Sequence, residues 1–117
     1  MTVEAIAEAI VAGDALAARS LTQELLKRGS QLPEEPSPVS NDVRIRALSA
    51  SLAELFAERL GQTPPPWTAM IGPLPEPYFL LKSAQTMSRL RRLCELESPP
   101  ALSRRRLFAP KDYLLFV

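Results

Sequence analysis

Arginine carries the most prominent chemistry of this 117-residue chain, in two short clusters of its C-terminal half. The clusters comprise Arg89, Arg91, Arg92, Arg104, Arg105 and Arg106. A guanidinium group binds a carboxylate or a phosphate through two parallel hydrogen bonds, which an ammonium group cannot do. If the clusters converge on one surface, they would bind an acidic protein or a nucleic acid. The common alternative is a set of solvated arginines with local ion pairs, such as Arg91 with Glu95.

Two aromatic residues, Trp67 and Tyr78, are predicted to bind the partner together with these arginines. Arg89 and Arg92 are three residues apart and would share a helix face, from which Arg91 is rotated away. The predicted partner-binding residues are Arg89, Arg92, Arg104, Arg105, Arg106, Trp67 and Tyr78.

Other reactive side chains are scarce. The chain has no histidine, which excludes Ser-His-Asp and Cys-His catalysis and histidine metal ligation. Its single cysteine, Cys94, excludes an intrachain disulfide and falls on the apolar side of a helix, where a buried, inert thiol is expected. The adjacent Glu34 and Glu35 lack partners at metal-ligand spacing, and no glycine-rich phosphate loop is present. The sequence therefore predicts a non-enzymatic protein with no cofactor and no metal.

Charge is distributed unevenly along the chain. Residues 1–61 hold six Lys/Arg and nine Asp/Glu, a net charge of −3, whereas residues 62–117 hold eight and four, a net charge of +4. Six of the seven aromatic residues also follow Gly61. The second half is therefore the predicted working surface. The overall charge of +1 is lower than a dedicated nucleic acid-binding domain usually carries.

Membrane association is not expected. No apolar run reaches the roughly 20 residues that a membrane-spanning helix needs. Glu4 and Glu8 stand where a signal peptide would carry positive charge. The sequence predicts a cytoplasmic protein.

The first elements are two short helices in a hairpin, residues 1–29. Thr2 and Asp14 are predicted to cap the two helix starts. The first helix has an apolar stripe: Val3, Ile6, Ala7 and Ile10. This stripe needs a packing surface, either within the chain or on a second copy, so a homo-oligomer through the hairpin stays open.

An exposed linker and a central helix follow the hairpin. Residues 30–40 contain three prolines and two glutamates, which predicts an extended linker with contacts at most from Leu32 and Val39. Residues 42–60, capped by Ser40 or Asn41, form the strongest helical pattern, with Glu54 among the residues outside its stripe. The stripe consists of Ile45, Leu48, Leu52, Leu55, Phe56 and Leu60.

A proline-rich crossover spans residues 62–77 and contains six prolines, so it cannot be one helix or a central strand. We expect it to deliver Trp67 into the core, although a polyproline ligand with an exposed Trp67 is the alternative. Pro77 is expected to start a short helix over residues 78–84, with Tyr78 at the edge that contacts solvent.

Two more helices and an apolar end complete the pattern. Thr86 is predicted to cap a helix over residues 87–97 whose inward side is Met87, Leu90, Leu93 and Cys94. A further short helix would run from Ser98 to about Leu107. The final apolar residues, 113–117, either dock within the chain, which is favoured, or add to a partner.

The C-terminal residues 67–117 also carry a resemblance. The segments WT…LPEPYFL, MSRLRRLCE and SRRRLFAPKDYLLFV resemble the C-terminal part of small uncharacterised bacterial proteins that are encoded beside nucleotidyltransferase-like or toxin–antitoxin components. The resemblance implies an antitoxin-like or accessory partner protein and transfers no functional residues. Residues 1–29 take no part in it.

These observations predict a single all-α domain of five or six helices in an irregular orthogonal arrangement, with residues 41–117 as its helical core. The predicted function is a protein-interaction module that uses its basic, aromatic second half to bind an acidic or nucleotide-handling protein. The alternative is a nucleic acid-binding protein that uses the same arginines.

Overall fold

The computed structural model describes residues 2–28 and 31–114, and these contain five α-helices that confirm the predicted all-α class. The helices are α1 (Val3–Val11), α2 (Ala15–Lys27), α3 (Val43–Leu60), α4 (Ser88–Glu97) and α5 (Pro100–Ser103). Two short strands, β1 (Tyr78–Phe79) and β2 (Leu107–Phe108), pair in parallel. Three 3₁₀-helical turns cover Leu32–Glu34, Pro66–Met70 and Lys82–Gln85. Among the described residues, no helix combines the length and apolar character needed to cross a bilayer.

The N-terminal hairpin begins as predicted. The side chain of Thr2 accepts a hydrogen bond from the Ala5 amide, and Asp14 accepts one from the Ala17 amide. The apolar stripe of α1 is buried against α3, so it packs within the chain and is not left for a second copy. On α2 the apolar side chain of Leu16 is 79% exposed. That helix buries Ala18, Thr22 and Leu25 instead.

Helix α3 lies at the centre of the fold. Asp42 caps it by accepting from the Arg44 amide, so the predicted caps Ser40 and Asn41 are wrong. From Ala47 to Ala57 every residue is buried except Glu54, which is half-buried. The prediction of a single buried stripe was therefore too narrow. The small residues of α3 are covered as well, because α1 packs on this helix together with α5 and the Pro66–Met70 turn.

The predicted linker is held against the rest of the fold. The sequence predicted that the linker could contact the fold through Leu32 and Val39. Leu32 is fully buried, as predicted, whereas Val39 is exposed. The carboxylate of Glu4 accepts hydrogen bonds from the amides of Val39 and Ser40. The indole N–H of Trp67 donates to the carbonyl of Glu35 at 2.7 Å. These contacts fix a segment whose composition indicated only an exposed extended chain.

The proline crossover relies on arginine for hydrogen bonds. Proline has no backbone N–H, so the six prolines of this segment leave its carbonyl groups short of local donors. Arg105 donates to the carbonyls of Ile71 at 3.1 Å and Thr68 at 2.8 Å. Arg106 donates to the carbonyl of Pro75 at 2.7 Å. Two side chains of the second arginine cluster thus stabilise the crossover from within the chain.

The strongest polar contact of the fold joins Arg105 to Glu54. The two guanidinium nitrogens of Arg105 lie 2.6 and 3.0 Å from the carboxylate oxygens of Glu54, a bidentate pair. Arg105 is only 5% exposed, and its Nη1 also lies 3.4 Å from the hydroxyl of Ser51. Burial by itself raises the pKa of Glu54, but the hydrogen bonds and charge of Arg105, with a smaller contribution from Arg104, outweigh burial and lower it.

The region after the crossover differs from the sequence prediction. Residues 78–84 do not form a helix: Tyr78 and Phe79 are a strand, because the Tyr78 amide donates to the Arg106 carbonyl and the Leu80 amide donates to the Phe108 carbonyl. The short helix predicted from Ser98 to about Leu107 is present as α5, but it is shorter than predicted. Helix α5 ends at Ser103, and Arg106 adopts a left-handed φ of 62° that turns the chain into β2.

The structure also shows how α4 begins and how the C-terminal end of the described chain packs. Met87 precedes α4 without a side-chain cap, so the predicted Thr86 cap is wrong. Tyr113 and Leu114 pack against the main core, and Arg59 donates to the Tyr113 carbonyl at 2.9 Å. Burial raises the pKa of the Tyr113 hydroxyl. This supports docking of the apolar end within the chain up to Leu114; residues 115–117 lie outside the described residues.

Glu54→Gln is expected to destabilise the protein by about 3 kcal/mol, since it leaves the buried guanidinium of Arg105 without a counter-charge. Urea denaturation followed by circular dichroism measures this loss. Glu58→Gln, on the exposed side of the same helix, is the control and should change stability by less than about 0.5 kcal/mol. Equal effects of the two variants would show that the Glu54–Arg105 pair does not stabilise the fold.

The same pair predicts a pH dependence. The pKa of Glu54 is lower in the folded chain than its ordinary value of 4.5, so its stabilising contribution is complete above that pH and is lost as the pH falls through the folded value. Thermal denaturation in a series of buffers from neutral to acid pH should show a steeper loss of Tm for the wild type than for Glu54→Gln. Parallel curves would contradict the assignment.

Candidate partner interface on helix α4

The second arginine cluster is divided among three environments. Arg104 is exposed, with one nitrogen 3.5 Å from the Glu54 carboxylate. The predicted surface position of Arg105 is wrong, because Glu54 and the crossover carbonyls surround its guanidinium group. Arg106 is exposed, although its guanidinium is bound to the Pro75 carbonyl. The six arginines therefore do not form one solvent-facing patch.

The first cluster lies on α4 and is divided between two sides of that helix. The guanidinium of Arg91 stacks over the Phe79 ring at 4.8 Å and lies 3.7 Å from Glu95, which confirms the predicted Arg91–Glu95 pair. Arg89 and Arg92 are exposed, and neither forms an ion pair within residues 2–28 and 31–114. Their guanidinium groups are therefore available to a carboxylate outside the chain.

Two leucines accompany these arginines. The residues of this surface, here called the α4 outer face, are Arg89, Arg92, Leu93 and Leu96. Their spacing of three, four and seven residues places them on one stripe of the helix, opposite the buried Cys94. Leu93 is 41% exposed and Leu96 is 74% exposed. The face thus combines apolar area with two cations, and the carboxylate of Glu95 borders it beside Arg89 and Arg92.

Sequence reasoning missed the apolar part of this face. It placed Leu93 and Met87 on the inward side of the helix, and both are exposed. The buried cluster beneath α4 comprises only Phe79, Ala84 and Cys94, with Leu81, Leu90 and Phe108 partly buried around it. This cluster covers one narrow side of the helix. The sequence did contain a signal for this exposure, because leucine recurs every three residues, at Leu90, Leu93 and Leu96. Side chains at this spacing cover a wider part of the helix surface than one buried stripe does.

The two predicted aromatic site residues lie away from the α4 outer face. Trp67 is half-buried and packs against the main core, as expected of a plug, and its N–H is bound to Glu35. Tyr78 is half-buried in β1, with the Arg44 guanidinium 5.8 Å from its ring centre. Trp67 therefore acts in the packing of the linker and crossover, whereas Tyr78 lies at the edge of the core as predicted.

The described part of the chain contains one thiol and no cluster of metal ligands. Cys94 is fully buried, and desolvation raises the pKa of its thiol, so the predicted inert thiol fits the structure. Nowhere in residues 2–28 and 31–114 do three or more Cys, Asp or Glu side chains gather as metal ligands would.

Comparison with protein-family models, with curated proteins and with solved structures found no match to this chain. The resemblance of residues 67–117 to small bacterial proteins therefore stays a prediction.

The thiol of Cys94 should react with Ellman's reagent roughly a hundredfold more slowly in the native protein than in denaturant, because α4 must detach before the reagent reaches it. The absorbance of the released thiolate measures the rate, and the chain holds no second cysteine to interfere. A native rate equal to that of the denatured chain would contradict the packing of α4 on Phe79 and Ala84.

Proposed function

We propose that this chain is a non-enzymatic protein-interaction module that binds an acidic partner through the α4 outer face. One observation carries the proposal: Arg89 and Arg92 form no ion pair within residues 2–28 and 31–114, and they lie beside Leu93 and Leu96 on an exposed helix stripe. A solvated helix face has no need of large leucines, whereas a binding face gains from each one it buries.

Both components of the face favour a protein ligand. Burying an exposed leucine side chain contributes about 1.5–3 kcal/mol, which two leucines would supply at the centre of a small interface. Arginine is enriched in such interfaces because its long apolar stem packs while its guanidinium pairs with carboxylates. The expected ligand is therefore an amphipathic surface, such as a helix with aspartate or glutamate flanking apolar residues.

The cellular role follows from the sequence. The resemblance of residues 67–117 implies an antitoxin-like or accessory protein, and such proteins act by occupying a surface of another protein. A partner that handles nucleotides and carries an acidic face would fit both that role and the α4 outer face. A cytoplasmic location belongs to the same proposal.

Nucleic acid binding has less support from the geometry. It required the guanidinium groups of both clusters to act together, and Arg105 is buried while Arg91 is engaged with Phe79 and Glu95. Few phosphate contacts remain for the exposed arginines, which predicts weak binding with a shallow salt dependence. Exposed leucines also have no use against a phosphate backbone.

The double substitution R89E/R92E is expected to abolish recovery of the partner when the tagged chain is purified from native cells. The recovered protein is identified by mass spectrometry, and its Kd for the wild type is then measured with purified components. Leu96→Ser should weaken that Kd by roughly tenfold, since the buried apolar area is lost.

The matched control is K27E/R28E, which makes the same charge change at the exposed end of α2 and should retain the partner. Retention of the partner by R89E/R92E would reject the α4 outer face as the binding site. Recovery that nuclease treatment removes, with affinity falling steeply as salt rises, would instead establish the nucleic acid alternative.

A further inference from the structure

Strand β1 has one edge that is not paired. On its other edge, the Tyr78 amide donates to the Arg106 carbonyl at 2.9 Å and the Leu80 amide donates to the Phe108 carbonyl at 3.0 Å. Backbone groups of successive strand residues point to alternate edges, so the N–H and carbonyl of Phe79 point away from β2. Within residues 2–28 and 31–114, neither group of Phe79 forms a hydrogen bond.

The backbone N–H and carbonyl of Phe79 are strong hydrogen-bonding groups without a partner in the described residues. The ring of Phe79 packs in the buried cluster beneath α4, which leaves the whole residue 8% exposed. An unpaired strand edge is the template that a second strand recognises, since it offers donors and acceptors in strand spacing. The backbone of Phe79 therefore specifies an extended ligand.

Cavities lie on both faces of β1. One, of about 220 Å³, is lined by Val43, Arg44, Leu74, Pro75, Glu76, Pro77 and Tyr78. The other, of about 370 Å³, is lined by Pro77, Phe79, Arg91, Glu95 and Phe108. Tyr78 and Phe79 are consecutive strand residues, so their side chains point to opposite faces and the cavities flank the edge between them. A strand docked on that edge would direct alternate side chains into the two cavities.

We propose that the free edge of β1 binds an extended segment of another protein, hydrogen-bonded to Phe79 and carrying apolar side chains at alternate positions. In this mode the backbone bonds give affinity and the cavities select the side chains. Each cavity contains one cation and one anion, Arg44 with Glu76 and Arg91 with Glu95, so its lining is balanced in charge. The segment is therefore uncharged at the positions that enter the cavities.

A second copy of this chain does not fit the same edge. Its own β1 would bring Tyr78, which packs against the main core, and Phe79, which is buried beneath α4. These side chains are already engaged, so a second copy has none to place in the cavities. An extended segment of a different chain, with free side chains on both of its faces, fills them.

This site adjoins the α4 outer face but differs from it in composition. Arg91 and Glu95 border the cavity beside Phe79, and they also line a depression together with Arg89 and Arg92. Leu93 and Leu96 line neither of the two. The ligands also differ, since the α4 outer face calls for an acidic partner and the β1 edge for a neutral extended one. Loss of one binding activity need not affect the other.

Selection of a random peptide library displayed on phage against the full wild-type chain tests the proposal. The expected peptides have apolar residues at every second position. Synthetic, fluorescently labelled forms of these peptides should bind the wild type in anisotropy titrations. Hydrogen-exchange NMR should show that the Phe79 amide exchanges with solvent roughly tenfold more slowly, or slower still, in the complex than in the free protein.

Three single substitutions distinguish the site from the rest of the surface. Glu76→Trp and Glu95→Trp each fill one cavity from an exposed position and should weaken the peptide Kd by roughly tenfold. Glu8→Trp, an exposed position on α1, is the matched control and should leave the Kd unchanged, as should R89E/R92E. Circular dichroism checks that each variant keeps the wild-type helix content.

Several results would overturn the proposal. The selection could yield no peptide with apolar residues at alternate positions, or the peptides could bind without slowing exchange of the Phe79 amide. Glu8→Trp could also weaken binding as much as Glu95→Trp does. Protection of Phe79 in the peptide-free protein, rising with protein concentration, would assign the edge to a second copy. If a Trp variant loses its fold, the exchange of the Phe79 amide in the wild type decides.

Discussion

The guanidinium group of Arg105 is the constraint on which the rest of this fold depends. A crossover with six prolines has too few N–H donors for its own carbonyl groups, and it lies against a central helix whose one charged residue in the buried stretch is Glu54. One planar side chain meets both needs, since it binds the carboxylate on one side and the carbonyls of Thr68 and Ile71 on the other. With that contact made, the crossover covers the small residues of α3, and the chain after α5 is fixed in place to form β2.

This use of arginine changes what the charge distribution means. The net charge of +4 over residues 62–117 suggested a basic binding surface, but part of that charge stabilises the fold. Arg105 is neutralised by Glu54, and Arg106 is bound to the Pro75 carbonyl. On α4, Arg89 and Arg92 form no ion pair with any residue that the structure describes, and they flank exposed leucines. A count of charges along a sequence cannot separate these roles, because a buried and an exposed arginine look alike in it.

The two proposed binding surfaces have a common structural origin. The buried cluster beneath α4, which comprises Phe79, Ala84 and Cys94, is small, so it packs against one narrow side of α4 and leaves one edge of β1 uncovered. The leucines on the far side of α4 stay exposed, and the far edge of β1 has no partner strand in the described part of the chain. Both features lie in the segment between the crossover and the C-terminal end, where local sequence rules gave the least accurate predictions.

The sequence by itself determined the elements whose signals are local. The caps at Thr2 and Asp14, the central helix and the all-α class were all predicted correctly, because capping and apolar periodicity depend on residues a few positions apart. Tertiary structure alone decided the burial of Arg105, the strand at Tyr78–Phe79 and the exposure of Leu93. Each depends on a partner far along the chain: Glu54 and Arg105 are 51 positions apart, and β1 is a strand only because β2 lies beside it. Such pairings follow from which surfaces meet on folding, and no short window of residues contains both sides.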